Sequence, residues 1–210
     1  MREPVSGLLH AVGVVFGCVG FVFLVDLAIQ RDSLIQLVAF VIYGLSFIAL
    51  FVSSTLYHLW PTSADNVKKL RKFDHMMIFV FISSSYTPFC LISLRGIAGW
   101  SLLALVWVIT LSGIFMKIFW MDAPRWFYTL LYVLMGWIAV FVFYPLSRSL
   151  PSVALGGLIA GGLFYTVGAV IYARKWPDPW PPHFGFHEIW HVFVLSGALV
   201  HFWTIYHFVN

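Results

Sequence analysis

The sequence has 210 residues, of which 61% are hydrophobic and 10% are charged, and its formal net charge is +4. A mean hydropathy of +0.94 excludes a soluble single-core domain of this size and indicates an integral membrane protein. The basic residues lie in loops beside membrane segments, where anionic lipid headgroups are their expected partners. The pattern gives no support to nucleic-acid binding.

Seven apolar runs are long enough to cross a bilayer, which takes on the order of 20 residues each. They lack the strict alternation of apolar and polar residues that is typical of transmembrane β-strands. The predicted fold is an all-α membrane protein, a seven-helix bundle that forms a single domain over residues 1–210. The predicted spans are 5–29, 34–60, 73–94, 99–120, 126–146, 152–173 and 186–208.

The distribution of lysine and arginine predicts the orientation of the bundle. Nine of the twelve basic residues lie in the N-terminal segment and in the second, fourth and sixth loops. Cytoplasmic segments of membrane proteins are enriched in these residues. The N-terminus is therefore predicted to be cytoplasmic and the C-terminus to lie outside.

Three histidines form the candidate metal site. His187 and His191 are four residues apart at the start of the last span, so a helix places both on one face, about 400° of rotation apart. The predicted topology brings His58, at the end of the second span, to the same membrane face. Three neutral imidazoles leave a fourth tetrahedral position open, a pattern typical of catalytic zinc. Singly, each histidine has an ordinary alternative as an interfacial or hydrogen-bonded residue.

Three more polar residues are predicted at this membrane face. Asp74 can accept a proton from water activated by zinc, or it can cap the third helix. Ser54 lies four residues before His58 and can donate a hydrogen bond to a substrate or to Asp74, or bond its own backbone. His10 can orient a metal ligand, or pack between helices.

Other polar residues are predicted to lie outside the site. His75 is rotated by about 100° from Asp74, and Glu188 is similarly rotated from its histidine neighbours. Glu188 is also favourable as a charge in the first turn of a helix. His201 lies about 15 Å beyond His191 along the helix axis and is too far away to share its metal ion.

Three motifs together resemble the bacterial hemolysin III family, the prokaryotic branch of the progestin and adipoQ receptor group, which is related to alkaline ceramidases. They are S-x3-H at Ser54–His58, FDHMMIFVFISSSYTPF around Asp74, and FGFHEIWHVFVLSGALVH around His187 and His191. The resemblance implies a seven-helix bundle in the bacterial cytoplasmic membrane. It also implies zinc held by these three histidines, with Asp74 holding the zinc-bound water.

The N-terminal motif departs from the family pattern. Many relatives carry E-x2-N-x3-H, whereas Glu3, Ser6 and His10 place serine where asparagine is usual. This departure weakens any role predicted for the motif.

Three functions are compatible with these features. The leading hypothesis is an intramembrane zinc hydrolase acting on a lipid amide or ester, which influences membrane-lipid homeostasis. The second is a non-enzymatic membrane sensor or regulator in which zinc ties the second and seventh spans together. The third is a cytolytic pore, which requires a polar stripe through the bilayer, whereas the polar residues concentrate at one end. The sequence leaves the lipid partner and the oligomeric state open.

Overall fold

A computed structural model describes residues 3–181 and 183–209. Arg2, which contributes to the predicted orientation, lies outside these residues. Within them, the structure is helical apart from loops and one isolated bridge between Trp180 and Phe184. Seven helical segments are long and apolar enough to cross a membrane, which confirms the predicted fold class. These spans are Pro4–Gln30, Leu34–Leu59, Ala64–Leu94, Gly96–Phe119, Arg125–Ser149, Ser152–Arg174 and Phe186–Phe208.

The third span begins well before the predicted membrane segment. Its first helical residue is Ala64, and Ser63 caps it by accepting a hydrogen bond from the Asn66 backbone nitrogen at 3.4 Å. The early turns are polar, so hydropathy identifies the part of the helix that enters the membrane and misses the start of the helix. Asp74 is the eleventh residue of this helix, and the alternative that it caps the helix is therefore wrong.

Helix contacts close the bundle into a ring. The first span packs on the second and the seventh, the sixth packs on the fifth and the seventh, and the third packs on the second, fourth and fifth. Gly13 and Gly17 of the first span face the buried rings of Phe51 and Phe47 in the second. Small residues here make room for aromatic side chains, which bury large apolar areas.

The third span changes from α-helix to a π-helical turn at Phe89–Leu94, directly after Pro88. Proline has no backbone N–H to donate, so it interrupts the regular ladder of hydrogen bonds. The Thr87 hydroxyl donates to the Ser83 carbonyl at 3.2 Å in the turn before the interruption. The irregular turn ends at Arg95, where a positive φ starts the tight connection to the fourth span.

The fifth span is also irregular, because a 3₁₀ segment at Ile138–Val142 separates its two α-helical parts. The Tyr86 hydroxyl of the third span donates to the carbonyls of Met135 (2.9 Å) and Gly136 (2.6 Å) and accepts from the Ala139 backbone nitrogen (3.1 Å). In a membrane, backbone groups freed by such a change need partners inside the protein. One side chain therefore supports the irregular segment.

Candidate metal centre

The three predicted histidines lie together at one end of the bundle, here called the histidine end, where the first, third and seventh spans begin and the second ends. Their ring centroids are 5.2 Å apart for His58 and His187, 4.9 Å for His58 and His191, and 4.7 Å for His187 and His191. One ring nitrogen from each lies within 4.8 Å of those of the other two. The histidines thus form a group that can hold a metal ion.

The hydrogen bonding of these rings fits a metal ion. His58 and His191 are 1% and 0% exposed. Among the described residues, neither nitrogen of His191 has a hydrogen-bond partner, and Nε2 of His187 has none. Leaving a buried polar atom without a partner costs about 1–3 kcal/mol. Coordination of one ion satisfies a nitrogen on each ring, and a set of three imidazoles suits zinc.

Glu3 fixes the orientation of His58. The Glu3 carboxylate contacts Nδ1 of His58 closely, and the Glu3 backbone nitrogen donates to the His58 carbonyl at 3.3 Å. A carboxylate on Nδ1 holds the proton there and leaves Nε2 as the free lone pair. Metal-binding histidines usually have such a partner, which also makes them more basic.

We expect Glu3→Gln to weaken zinc binding by about 10- to 100-fold, because this is the usual effect of removing a carboxylate behind a histidine ligand. Competition with a fluorescent chelator measures the dissociation constant. Asp26→Asn is the matched control, since Asp26 lies on the same span and its exposed carboxylate bonds Gln30. Equal zinc affinity of the Glu3 variant and the wild type would contradict this role.

The other two residues of the N-terminal motif also reach the histidine end. Ser6 donates a hydrogen bond to Glu188 at 2.6 Å, and the same carboxylate accepts from the Gly185 backbone nitrogen at 2.8 Å, which caps the seventh span. His10 stacks on His191 with centroids 3.8 Å apart. The motif therefore does contact the site, although Ser6 replaces the usual asparagine. Spacings of three and seven residues, which share one helical face, are the sequence signal for this.

Asp74 and Ser54 lie beside the histidines and are buried. The Ser54 hydroxyl and the His58 ring both lie close enough to the Asp74 carboxyl to interact with it. A hydrogen bond from Ser54 to Asp74 stays a prediction. Asp74 can thus hold and release a proton next to the metal ligands.

Sequence reasoning missed a basic group near Asp74. Lys117 of the fourth span is 2% exposed, and its Nζ donates to Nδ1 of His75 at 3.1 Å. His75 was predicted to lie outside the site, yet it borders the same cavity. In the sequence, Lys117 is one of the nine basic residues whose distribution predicts the orientation of the bundle. The sequence signal for its burial is its position, three residues inside the end of the predicted span 99–120.

A cavity of about 910 Å³ extends from the histidine end into the bundle. Its polar end is formed by Ser54, His58, Asp74 and His187, and its deeper walls are mainly apolar, including Phe89, Leu94, Leu102, Leu146 and Leu158. Phe89 lies fifteen residues after Asp74 on one span, about 22 Å along the axis. The hydrocarbon core of a bilayer is about 30 Å thick. The cavity is therefore deep enough to take a lipid chain. His201 also borders it, with Nε2 donating to the Leu158 carbonyl at 3.2 Å.

These features define a seven-span membrane protein with a buried three-histidine site that opens into an apolar cavity. The family model "Haemolysin-III related" matches residues 1–202, so the chain belongs to the hemolysin III family. It is 34% identical to Hemolysin-3 of Bacillus cereus over 99% of this chain and 92% of that protein. It is 36% identical to the Hemolysin-3 homolog of Bacillus subtilis (strain 168), over 97% of this chain and 92% of that protein. It is 25% identical to the Monocyte to macrophage differentiation factor of Homo sapiens, over 80% of this chain and 69% of that protein.

Proposed function

We propose that this protein is an intramembrane zinc-dependent hydrolase of a lipid amide or ester in the bacterial cytoplasmic membrane. The observation that carries the proposal is the common cavity: His58, His187 and Asp74 form its polar end, and apolar side chains form its depth. A zinc ion held by the three histidines would supply Lewis-acid activation of a water molecule and of a substrate carbonyl. The predicted orientation places this chemistry at the cytoplasmic face.

The side chains beside the three histidines have separate tasks. Asp74 takes a proton from the attacking water and returns it to the leaving amine or alcohol, as a general base and then a general acid. Ser54 lies beside the Asp74 carboxyl and can orient it by donating a hydrogen bond. Glu3 holds His58 in the tautomer that presents Nε2. The apolar part of the cavity binds the lipid chain and keeps its reactive bond at the polar end.

Product release from purified, zinc-loaded protein tests the proposal. We expect fatty-acid release from at least one member of a panel of ceramides, acyl amides and phospholipids, measured by mass spectrometry, and its loss on treatment with a chelator. Protein that holds one zinc ion per chain and releases fatty acid from none of these lipids would overturn the proposal.

A regulator without enzymatic activity is the second candidate. The three histidines connect the second span to the seventh, so a bound ion can stabilise the bundle with no chemistry. The name of the human relative also describes a differentiation factor. A pore is less favoured, although two relatives are named hemolysins, because pores need polar groups along their length and the deeper cavity walls are mainly apolar.

A further inference from the structure

Three basic residues border the cavity at the histidine end: Arg71 of the third span, Lys117 of the fourth and Arg125 of the fifth. Three acids, Glu3, Asp74 and Asp122, also border the cavity, and the Glu3 carboxylate contacts His58. Asp122 lies 3.5 Å from Arg71, but its side chain is 95% exposed. In the described part of the chain, however, neither Lys117 nor Arg125 has a carboxylate within the 4.0 Å of an ion pair.

Lys117 is the most unusual of the three. A buried ammonium group in a membrane protein is costly unless it is paired. Among the described residues, no carboxylate lies within the 4.0 Å of an ion pair from its Nζ. Its contacts are Nδ1 of His75 and the ring of Tyr128, whose centroid is 3.2 Å away. An ammonium group has three donors, and His75 accepts one of them.

Arg125 lies at the same end of the cavity in a pre-arranged position. Its guanidinium carbon is 4.5 Å from the ring centroid of Tyr172 and 5.6 Å from that of Phe186. Stacking on aromatic rings holds the planar group while leaving its N–H donors at the edges. Guanidinium groups match phosphate geometry through paired hydrogen bonds, and lysine adds a point charge.

We propose that Lys117 and Arg125, with Arg71, form a binding subsite for the phosphate of a membrane phospholipid whose acyl chain occupies the apolar cavity. The location supports a lipid, because candidate membrane-spanning helices begin and end at this end of the bundle while the depth of the cavity is apolar. The subsite also names a substrate class for the proposed hydrolase, which is the class of phosphate-bearing ester lipids. Only this assignment of a substrate rests on the proposed function. Binding itself requires no turnover.

The test compares two lipids that differ in the phosphate. Lysophosphatidic acid and a monoacylglycerol with the same acyl chain are titrated into detergent-solubilised Asp74→Asn protein, and binding is measured by native mass spectrometry. We expect the phosphate to tighten binding at least about tenfold, the size of a charge-assisted hydrogen bond. Equal affinities for the two lipids would overturn the proposal. Absence of hydrolysis leaves this result unaffected, so the subsite and the hydrolase proposal fail separately.

Single-residue variants test whether the subsite causes the preference for the phosphate lipid. Lys117→Met keeps the side-chain length and is expected to remove most of the preference for the phosphate lipid, whereas Lys117→Arg is expected to keep it. Lys69→Gln is the matched control, because Lys69 is an exposed basic residue near the start of the third span. A Lys117→Met protein that retains the full preference would overturn the assignment. If inorganic phosphate bound as tightly as lysophosphatidic acid in a competition experiment, the proposal that the ligand is a lipid would be overturned.

If Lys117→Met does not fold, Arg125→Gln gives the same test from the other side of the subsite. It removes a cation that is held by ring contacts at the cavity edge. We expect a loss of phosphate preference of about tenfold for this variant as well. A preference equal to that of the wild type would contradict the proposal.

Discussion

The double variant His187→Ala/His191→Ala is expected to lose its metal, with zinc falling from about one ion per chain to less than about 0.1. The physical reason is that His58 alone cannot hold the ion, since the other two nitrogens of the group belong to the seventh span. Elemental analysis of the purified protein measures the zinc content. Fatty-acid release, where the wild type shows it, should disappear together with the metal.

The control for this variant is His183→Ala/His207→Ala. It removes the same two imidazoles from positions outside the metal-binding group, before and at the end of the same span. We expect its zinc content to equal that of the wild type. Zinc retained at one ion per chain in the His187/His191 variant would show that the ion binds elsewhere or is held by other residues.

The second large effect is expected for Asp74→Asn, which should keep its zinc and lose activity by about 10²- to 10⁴-fold. Asparagine occupies nearly the same volume and can accept a hydrogen bond, but it cannot take a proton from water. Initial rates of fatty-acid release and the zinc content are measured on the same preparation. The comparison separates a chemical role of Asp74 from a structural one.

Asp65→Asn is the matched control, because Asp65 lies on the same helix and is exposed, with Lys68 4.0 Å away. We expect wild-type rates from it. Full cellular function in the Asp74 variant, with zinc retained, would favour the second candidate, in which the ion only stabilises the contact between the second and seventh spans.

The sequence was sufficient for the number of spans and for the three histidines that come together. Apolar length reports bilayer thickness directly, and the alternating direction of the spans brings His58 and His187 to one end. The same hydropathy criterion could not locate Ala64, because the first turns of that helix are polar. Hydropathy reports membrane insertion, which is a separate property from helix formation.

Contacts between distant side chains could not be derived from topology. Glu3 with His58, and Ser6 with Glu188, depend on how closely the first span packs against its neighbours. Helix periodicity defines which residues share a face, but it does not define the partner on the other helix. The resemblance also favoured an asparagine at position 6, whereas a serine hydroxyl is sufficient to reach the carboxylate.

The irregular fifth span makes the surrounding bilayer part of the support of the cavity. Only 17% of the most apolar stretch of this span is buried, against 61% for the third span. Val140 borders the cavity while Phe141 beside it is 88% exposed. Lateral pressure from acyl chains therefore acts directly on a wall whose helix is interrupted and supported by Tyr86. The width of the cavity should thus respond to the thickness and fluidity of the membrane that contains the protein.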